Sequence, residues 1–333
     1  MRILIASDAW TPQVNGVVRT LKSILPELAA MGHAVTMLTP DMFATVPCPL
    51  YPEIRLAVGA TRPAAKLVES ARPNAVHIVT EGPVGFAVRH WCLDRRFEFT
   101  TAYHTRFPEY LAARCAIPTG VTYGVLRRFH APARGTMVAT ESMRVALAAK
   151  GFRNLRPWCR GVDPEKFAPV FRQHDVGFRR PIFLSVGRVA LEKNLPAFLD
   201  LELPGSKVVV GTGPQLDRLK RRYPDAHFLG RVENGALAQL FASADVFVFP
   251  SRTDTFGLVL LEALASGLPV AAFPVPGPLD VVGDSGVGVL SEDLRAAALT
   301  ALEIPRTACR AYATRFSWAQ CARQFVEQLS VAD

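Results

Sequence analysis

The sequence predicts an α/β protein made of two similar sandwiches, each a parallel sheet covered by helices. Three observations carry this. Apolar runs of strand length alternate with amphipathic helical stretches from end to end. The alternation starts afresh at Pro181-Ile182-Phe183-Leu184-Ser185-Val186-Gly187. A chain of 333 residues is also long enough for about two domains.

In the first half, strands are expected at 2–7, 34–39, 75–79, 99–103 and 136–139. Between the first two, Val17, Leu21, Ile24, Leu25 and Leu28 recur at helical spacing. In the second half, strands are expected at 181–187, 207–210, 227–229, 245–249 and 269–273. Residues 166–180 lack apolar periodicity and carry Gly177 and four basic residues, so they read as a linker between a domain at 1–165 and a domain at 181–315. The remainder, 316–333, is an amphipathic helix with no strand after it, expected to pack back on the first domain.

Half of the residues are apolar and a fifth are charged, which excludes disorder as the main state. The formal charge of +9 is unevenly spread: residues 1–165 hold 20 basic and 12 acidic side chains, and the rest hold 18 and 17. Such an excess favours an anionic partner and says nothing about fold. Met1-Arg2 runs straight into Ile3-Leu4-Ile5-Ala6-Ser7-Asp8, without the layout of a secretory signal. The long apolar passage at 258–273 is broken by Glu262, Ser266 and Gly267, so any membrane contact is expected to be peripheral. The six cysteines form no C-x-x-C pair, as expected of reduced thiols in a cytoplasmic protein.

The strongest constellation follows the fourth strand of the second half: Pro250-Ser251-Arg252-Thr253-Asp254-Thr255-Phe256-Gly257-Leu258, leading into a helix that carries Glu262. A strand that turns sharply into a helix presents free N–H groups and the positive end of the helix dipole at the carboxyl edge of the sheet, where anions bind. Two carboxylates flank that site. Alone, Asp254 reads equally as a helix cap and Glu262 as a paired helical residue, but Glu262 is set among apolar neighbours where an unpartnered charge is costly. A second constellation, Gly187-Arg188-Val189-Ala190-Leu191-Glu192-Lys193-Asn194, places two cations in the loop after a strand; Arg188 is suited to forking two phosphate oxygens and Lys193 to adding a point charge. In the first half, Gly16 stands at the mouth of a helix after the first strand, and His104 at the end of the strand 99–103. A tight packing glycine and a hydrogen-bonded structural histidine are the plain alternatives.

Together these stretches resemble glycosyltransferase family 4, whose members are retaining enzymes of the GT-B fold, two facing Rossmann-like α/β/α domains with the donor site in the cleft. The family's E-x7-E motif corresponds to Asp254 and Glu262, with Asp in place of the first Glu, and its G-R-x-x-x-E-K-N pattern to Gly187 through Asn194. The resemblance implies that Arg188 and Lys193 hold the donor diphosphate and that Asp254 and His104 face the transferred sugar. It further implies that Gly16, Thr255, Phe256, Gly257 and Leu258 line the donor, that Glu262 binds the ribose, and that Phe228, Gly230 and Arg231 receive the base. Thr80-Glu81-Gly82-Pro83-Val84-Gly85, Tyr103-His104-Thr105-Arg106-Phe107-Pro108-Glu109-Tyr110 and Trp158-Cys159-Arg160-Gly161-Val162-Asp163 resemble the branch of glycolipid synthases and GDP-mannose-dependent α-mannosyltransferases.

On that resemblance the donor is a UDP- or GDP-sugar, and no cofactor or metal is expected because the chain has no D-x-D. A lipid acceptor such as diacylglycerol is expected on the first domain near Glu81, Tyr103 and Arg106. Arg127, Arg128 and Phe129 would lie against the anionic inner face of the cell membrane. A polyprenyl-linked or soluble saccharide is the alternative acceptor. A nucleic-acid binder would also account for the charge but lacks a module motif, and a dinucleotide-dependent oxidoreductase lacks the full glycine fingerprint.

Overall fold

The computed structural model describes residues 1–13, 15–48, 51–115, 117–232 and 234–331. The chain divides into two compact units, one of Met1–Arg160 with Trp318–Asp333, the other of Gly161–Ser317.

The first unit contains β1 (Arg2–Ala6), β2 (Ala34–Leu38), β3 (Thr45–Cys48), β4 (Tyr51–Ala57), β5 (Ala75–Ile78), β6 (Phe99–Tyr103), β7 (Gly135–Val138) and β8 (Leu155–Pro157). Six of these form a parallel sheet in the order β2-β1-β5-β6-β7-β8, and β3 pairs with β4 as an antiparallel ribbon. Helices bury both faces of the sheet. Side chains alternate along a strand, so Leu4 and Ala6 of β1 join one core cluster while Ile3 and Ile5 join the other.

The second unit repeats the plan with β9 (Ile182–Val186), β10 (Ser206–Val210), β11 (His227–Gly230), β12 (Val246–Phe249), β13 (Val270–Ala272) and β14 (Gly288–Leu290), ordered β11-β10-β9-β12-β13-β14. In each sheet the strand order reverses once, beside β1 in the first and beside β9 in the second. A parallel sheet opens a crevice at its carboxyl edge at such a switch point. The loops after β9 and β12 are therefore neighbours, and they are the two strongest constellations of the sequence.

The sequence pattern misses the β3–β4 ribbon, β8 and β14. Beyond the ribbon these are three-residue edge strands, β8 ending on a proline, too short to leave a distinct apolar run.

The linker expected at 166–180 is instead bound into the second unit. Arg180 donates to both carboxylate oxygens of Asp245 at 2.7 and 2.8 Å, Gln173 N–H donates to Ser243 Oγ at 2.9 Å, and Phe167 packs edge-on to Phe241. The change of unit falls earlier, after Arg160. The helix Trp318–Gln328 returns to the first unit, where Cys321, Ala322 and Phe325 are fully buried and Trp158 Nε1 donates to Cys321 O at 3.2 Å.

With these bounds the charge separates completely. The first unit holds 21 basic and 12 acidic residues, and the second holds 17 of each, so the whole +9 belongs to the first. Of the cysteines with described side chains, Cys92, Cys309 and Cys321 are buried and Cys48 and Cys159 half-buried, all as free thiols; the side chain of Cys115 lies outside the described set.

Candidate functional site

In the second unit the carboxyl edge is assembled from glycine turns packed directly on one another. A side chain at Gly211 would place its Cβ 1.8 Å from Gly187 O, and one at Gly213 would lie 2.3 Å from Val189 O. These contacts allow Val189 N–H to bond Thr212 O at 2.9 Å and Gly211 N–H to bond Gly230 O at 2.8 Å. The three loops after β9, β10 and β11 thus form one continuous rim.

The loops after β9 and β12 are joined by polar contacts. Asn194 sits in the left-handed region at φ 51° and its Nδ2 donates to Pro250 O at 3.1 Å. The hydroxyls of Ser251 and Thr253 both donate to Glu192 O at 3.3 Å. Against this frame Lys193 Nζ meets Asp254 Oδ1 at 2.5 Å, so the cation and the acid singled out separately in the sequence form one ion pair. The other oxygen, Asp254 Oδ2, is buried and has no hydrogen-bond partner among the described residues. A buried carboxylate oxygen left in that state costs about 1 to 3 kcal/mol, which a ligand hydroxyl would recover. Arg188 is half-buried in the same loop.

The helix Leu258–Ala265 starts from Gly257, held at φ 83°. This is a left-handed conformation that favours glycine, and its N-cap residue has no side chain to satisfy the first helical N–H groups. They remain suited to an anion. Thr255 and Leu258 are half-buried, Phe256 is buried, and Glu262 on the next turn is 8% exposed.

Sequence reasoning missed Gly277. A Cβ there would stand 3.0 Å from Asp254 O and 3.1 Å from Phe256 O, so the helix Pro276–Val281 is what backs the 254–256 loop. The run Pro276-Gly277-Pro278 was the available signal. Gly277→Val is expected to displace the loop and lower kcat/KM by about a hundredfold, on the scale of an ångström-sized misplacement, with the thermal midpoint lowered only modestly; steady-state kinetics and a melting curve check it.

Three expectations change. Phe228 turns its side chain into the core of the second unit, leaving Gly230 at φ 68° and exposed Arg231 to represent that loop. In the first unit the N–H groups next to Gly16 are not open: Asn15 Oδ1 accepts from Val17 and Val18, both at 3.0 Å, and caps the helix Gly16–Ala30. Phe129 does not reach the surface; it is 2% exposed and packed edge-on to Phe86. The outer face of the helix Thr119–His130 instead carries Val121 and Val125, 62% and 55% exposed, beside exposed Arg127 and Arg128.

The first-unit acids and tyrosine lie inside. Glu81 Oε1 is 3.0 Å from His130 Nε2, and His130 Nδ1 is 2.8 Å from Thr101 Oγ1. Tyr103 is 1% exposed, its hydroxyl lacks a hydrogen-bond partner among the described residues, and burial pushes its pKa up. Arg106 is half-buried. Nearby, Tyr123 OH donates to Glu109 Oε1 at 2.7 Å, and burial with that bond raises the phenol to about 12.

His104 follows β6, its ring edge-on to Trp158 at 5.7 Å. Burial, and then the nearby Arg160 cation, hold its pKa well below the usual histidine value, so it is neutral at physiological pH. His77 on the adjacent β5 is likewise neutral, lowered by burial to about 3.

Two family models match the chain, Glycosyltransferase Family 4 over residues 14–166 and Glycosyl transferases group 1 over residues 180–304. The sequence is similar to a GDP-mannose-dependent alpha-mannosyltransferase of Mycobacterium tuberculosis, with 30% identity over 87% of this chain and 83% of the relative. It is also similar to an alpha-monoglucosyldiacylglycerol synthase of Streptococcus pneumoniae, with 27% identity over 91% of this chain and 78% of the relative. Among solved structures, Anabaena HepE in complex with UDP and glucose has a similar fold, with a TM-score of 0.72 at 16% identity and 98% of each chain covered.

Proposed function

Because the chain belongs to glycosyltransferase family 4 and has the GT-B fold, we propose that it is a retaining, metal-independent enzyme that moves a hexosyl group from a GDP- or UDP-sugar to a lipid acceptor. Diacylglycerol is the acceptor we favour, met at the inner face of the cell membrane. The observation that carries the donor half is the Lys193–Asp254 pair with its second carboxylate oxygen unsatisfied. An ammonium has three donors. One rests on Asp254, and two are left for a diphosphate beside the open end of the helix Leu258–Ala265. Asp254 Oδ2 is then the acceptor for a hydroxyl of the sugar.

Charge grows on the departing diphosphate in the transition state, and cations already in place there lower the barrier without reorganisation. Arg188 and Lys193 supply them, and the absence of D-x-D from the sequence agrees with chemistry that needs no carboxylate-held metal. Neutral His104 is suited to hydrogen bonding with the sugar. In this reading the acceptor hydroxyl enters on the face the diphosphate leaves, and no side chain forms a covalent intermediate.

The acceptor half rests on the helix Thr119–His130. Val121 and Val125 offer exposed apolar contact beside Arg127 and Arg128, each cation contributing about 1 kcal/mol near an anionic surface. The donor and acceptor are tested together by presenting GDP-mannose, UDP-glucose and related sugars with diacylglycerol in anionic or neutral vesicles, with and without EDTA, and identifying products by mass spectrometry. An α-glycosyl diacylglycerol formed faster on anionic vesicles and unaffected by EDTA is the expected result. Transfer to a soluble or polyprenyl-linked saccharide alone, or loss of activity in EDTA, would overturn the acceptor or the metal-free part respectively.

A further inference from the structure

Arg160 is a cation buried in the first unit, 4% exposed, and no carboxylate pairs with it among the described residues. Burying a charge without an opposite partner costs several kcal/mol, so its position calls for an account. The guanidinium is held by weaker partners. Nη1 donates to Trp158 O at 2.8 Å and Cys159 O at 2.9 Å, the group stacks over the Trp158 ring at 4.3 Å, and Nη2 lies 3.3 Å from His104 Nδ1.

Arginine has donors only and stays protonated, so in the last contact the imidazole nitrogen must accept. A neutral imidazole that accepts at Nδ1 carries its proton on Nε2. We infer that Arg160 is a positioning residue which fixes His104 as the neutral Nε2–H tautomer, a hydrogen-bond donor toward the transferred sugar. This rests on the role given to His104 above and sharpens it: a histidine held this way donates a hydrogen bond and neither abstracts nor delivers a proton during transfer.

The surroundings act in the same direction. Among the described residues, Arg160, His77 from β5 and His130 from the helix Thr119–His130 are the charged or titratable groups that, after burial, lower the His104 pKa, in that order. Trp158 closes one edge of the ring and is itself clamped by the Arg160 stack. Arg160 thus restrains both the imidazole and the indole beside it.

The test uses the full-length protein with 15N-labelled histidine, His104 being assigned by the signal that disappears in His104→Ala. In the unmodified protein His104 is expected as the Nε2–H form with no titration from about pH 5 to about pH 8. In Arg160→Met the Nε2–H form is expected to give way to a mixture of the two neutral tautomers, while burial, the larger cause of the lowered pKa, still keeps the ring from titrating there. The same substitution should lower kcat by about tenfold to a hundredfold with the donor KM nearly unchanged, while Arg160→Lys, which keeps a cationic donor, recovers part of the loss. In a His104→Ala background Arg160→Met should cost nothing further.

A His104 proton on Nδ1 in the unmodified protein, or a His104 that titrates there, would overturn the inference even if every Arg160 variant failed to fold. So would an Arg160→Met protein whose His104 remains wholly in the Nε2–H form. Full activity in His104→Ala would instead remove the catalytic reading of His104, while the spectra would still decide whether Arg160 sets its tautomer.

Discussion

Lys193→Ala is expected to lower kcat/KM for the nucleotide sugar by about a hundredfold to a thousandfold, the usual cost of deleting one preorganised group that stabilises developing negative charge. The fold should survive. Lys193 is half-buried on the rim of the sheet, and its side chain meets Asp254 rather than the core. Removing the ammonium also leaves the Asp254 carboxylate without the one side-chain partner it has among the described residues, so Lys193→Ala with Asp254→Asn should be less than additive, as for two members of one site. Glu262→Ala is expected to act differently, raising KM for the donor if its carboxylate holds the ribose. Steady-state kinetics with the donor varied, alongside melting curves, separate these cases; normal activity in Lys193→Ala would sink the donor assignment.

Asp8→Ala should have the largest effect on stability. Asp8 follows β1 and is 7% exposed, yet its carboxylate serves a distant element: Oδ1 accepts from Val84 N–H at 2.8 Å, and Oδ2 accepts from Gly85 N–H at 3.1 Å and Thr80 Oγ1 at 2.9 Å. It caps the helix Pro83–Asp94 across the sheet's switch point. Gly82 is required there, since a Cβ would stand 2.4 Å from Asp8 Cγ. Losing the cap and stranding two buried N–H groups should cost about 3 kcal/mol or more, read as a lower midpoint in urea. Burial raises the pKa of Asp8 above the ordinary 3.8, against the lowering effect of its hydrogen bonds. A raised carboxyl holds its proton more tightly in the folded state, so its contribution falls as pH rises from about 3.8 through the folded value. Measured against Asp8→Asn, the unmodified protein should therefore lose relative stability as pH increases across that window.

Both sheets were legible in the sequence because their central strands are buried runs made mostly of apolar residues, and β6 was bounded to the residue even with Thr100 and Thr101 inside it. The residues proposed to hold the donor were singled out because glycine, arginine and acid recur there at fixed spacing in turns after strands. Gly16, Phe228 and Phe129 were misjudged for one shared reason: each reading assumed the direction of a side chain or an N–H group. Asn15 turned its own oxygen onto the helix end, Phe228 faces the core by strand alternation, and Phe129 lies on the inner side of its helix. The linker was misread because its contacts are made by arginines such as Arg180 with residues far along the chain.

Sequence alone determined the fold class, the family and the candidate residues for a diphosphate sugar, because periodicity and local turn chemistry are set by neighbours in the chain. Only the tertiary structure decided which of those residues meet. The pairing of Lys193 with Asp254, the support of the 254–256 loop by Gly277, the cap from Asp8 and the hold of Arg160 on His104 all join residues that lie far apart in the chain. So does the assignment of the entire +9 charge to the first unit, since the helix Trp318–Gln328 returns there and residues 161–180 leave it. Such contacts depend on which strands lie side by side, and strand order is set by burying the cores as a whole rather than by any local stretch of sequence.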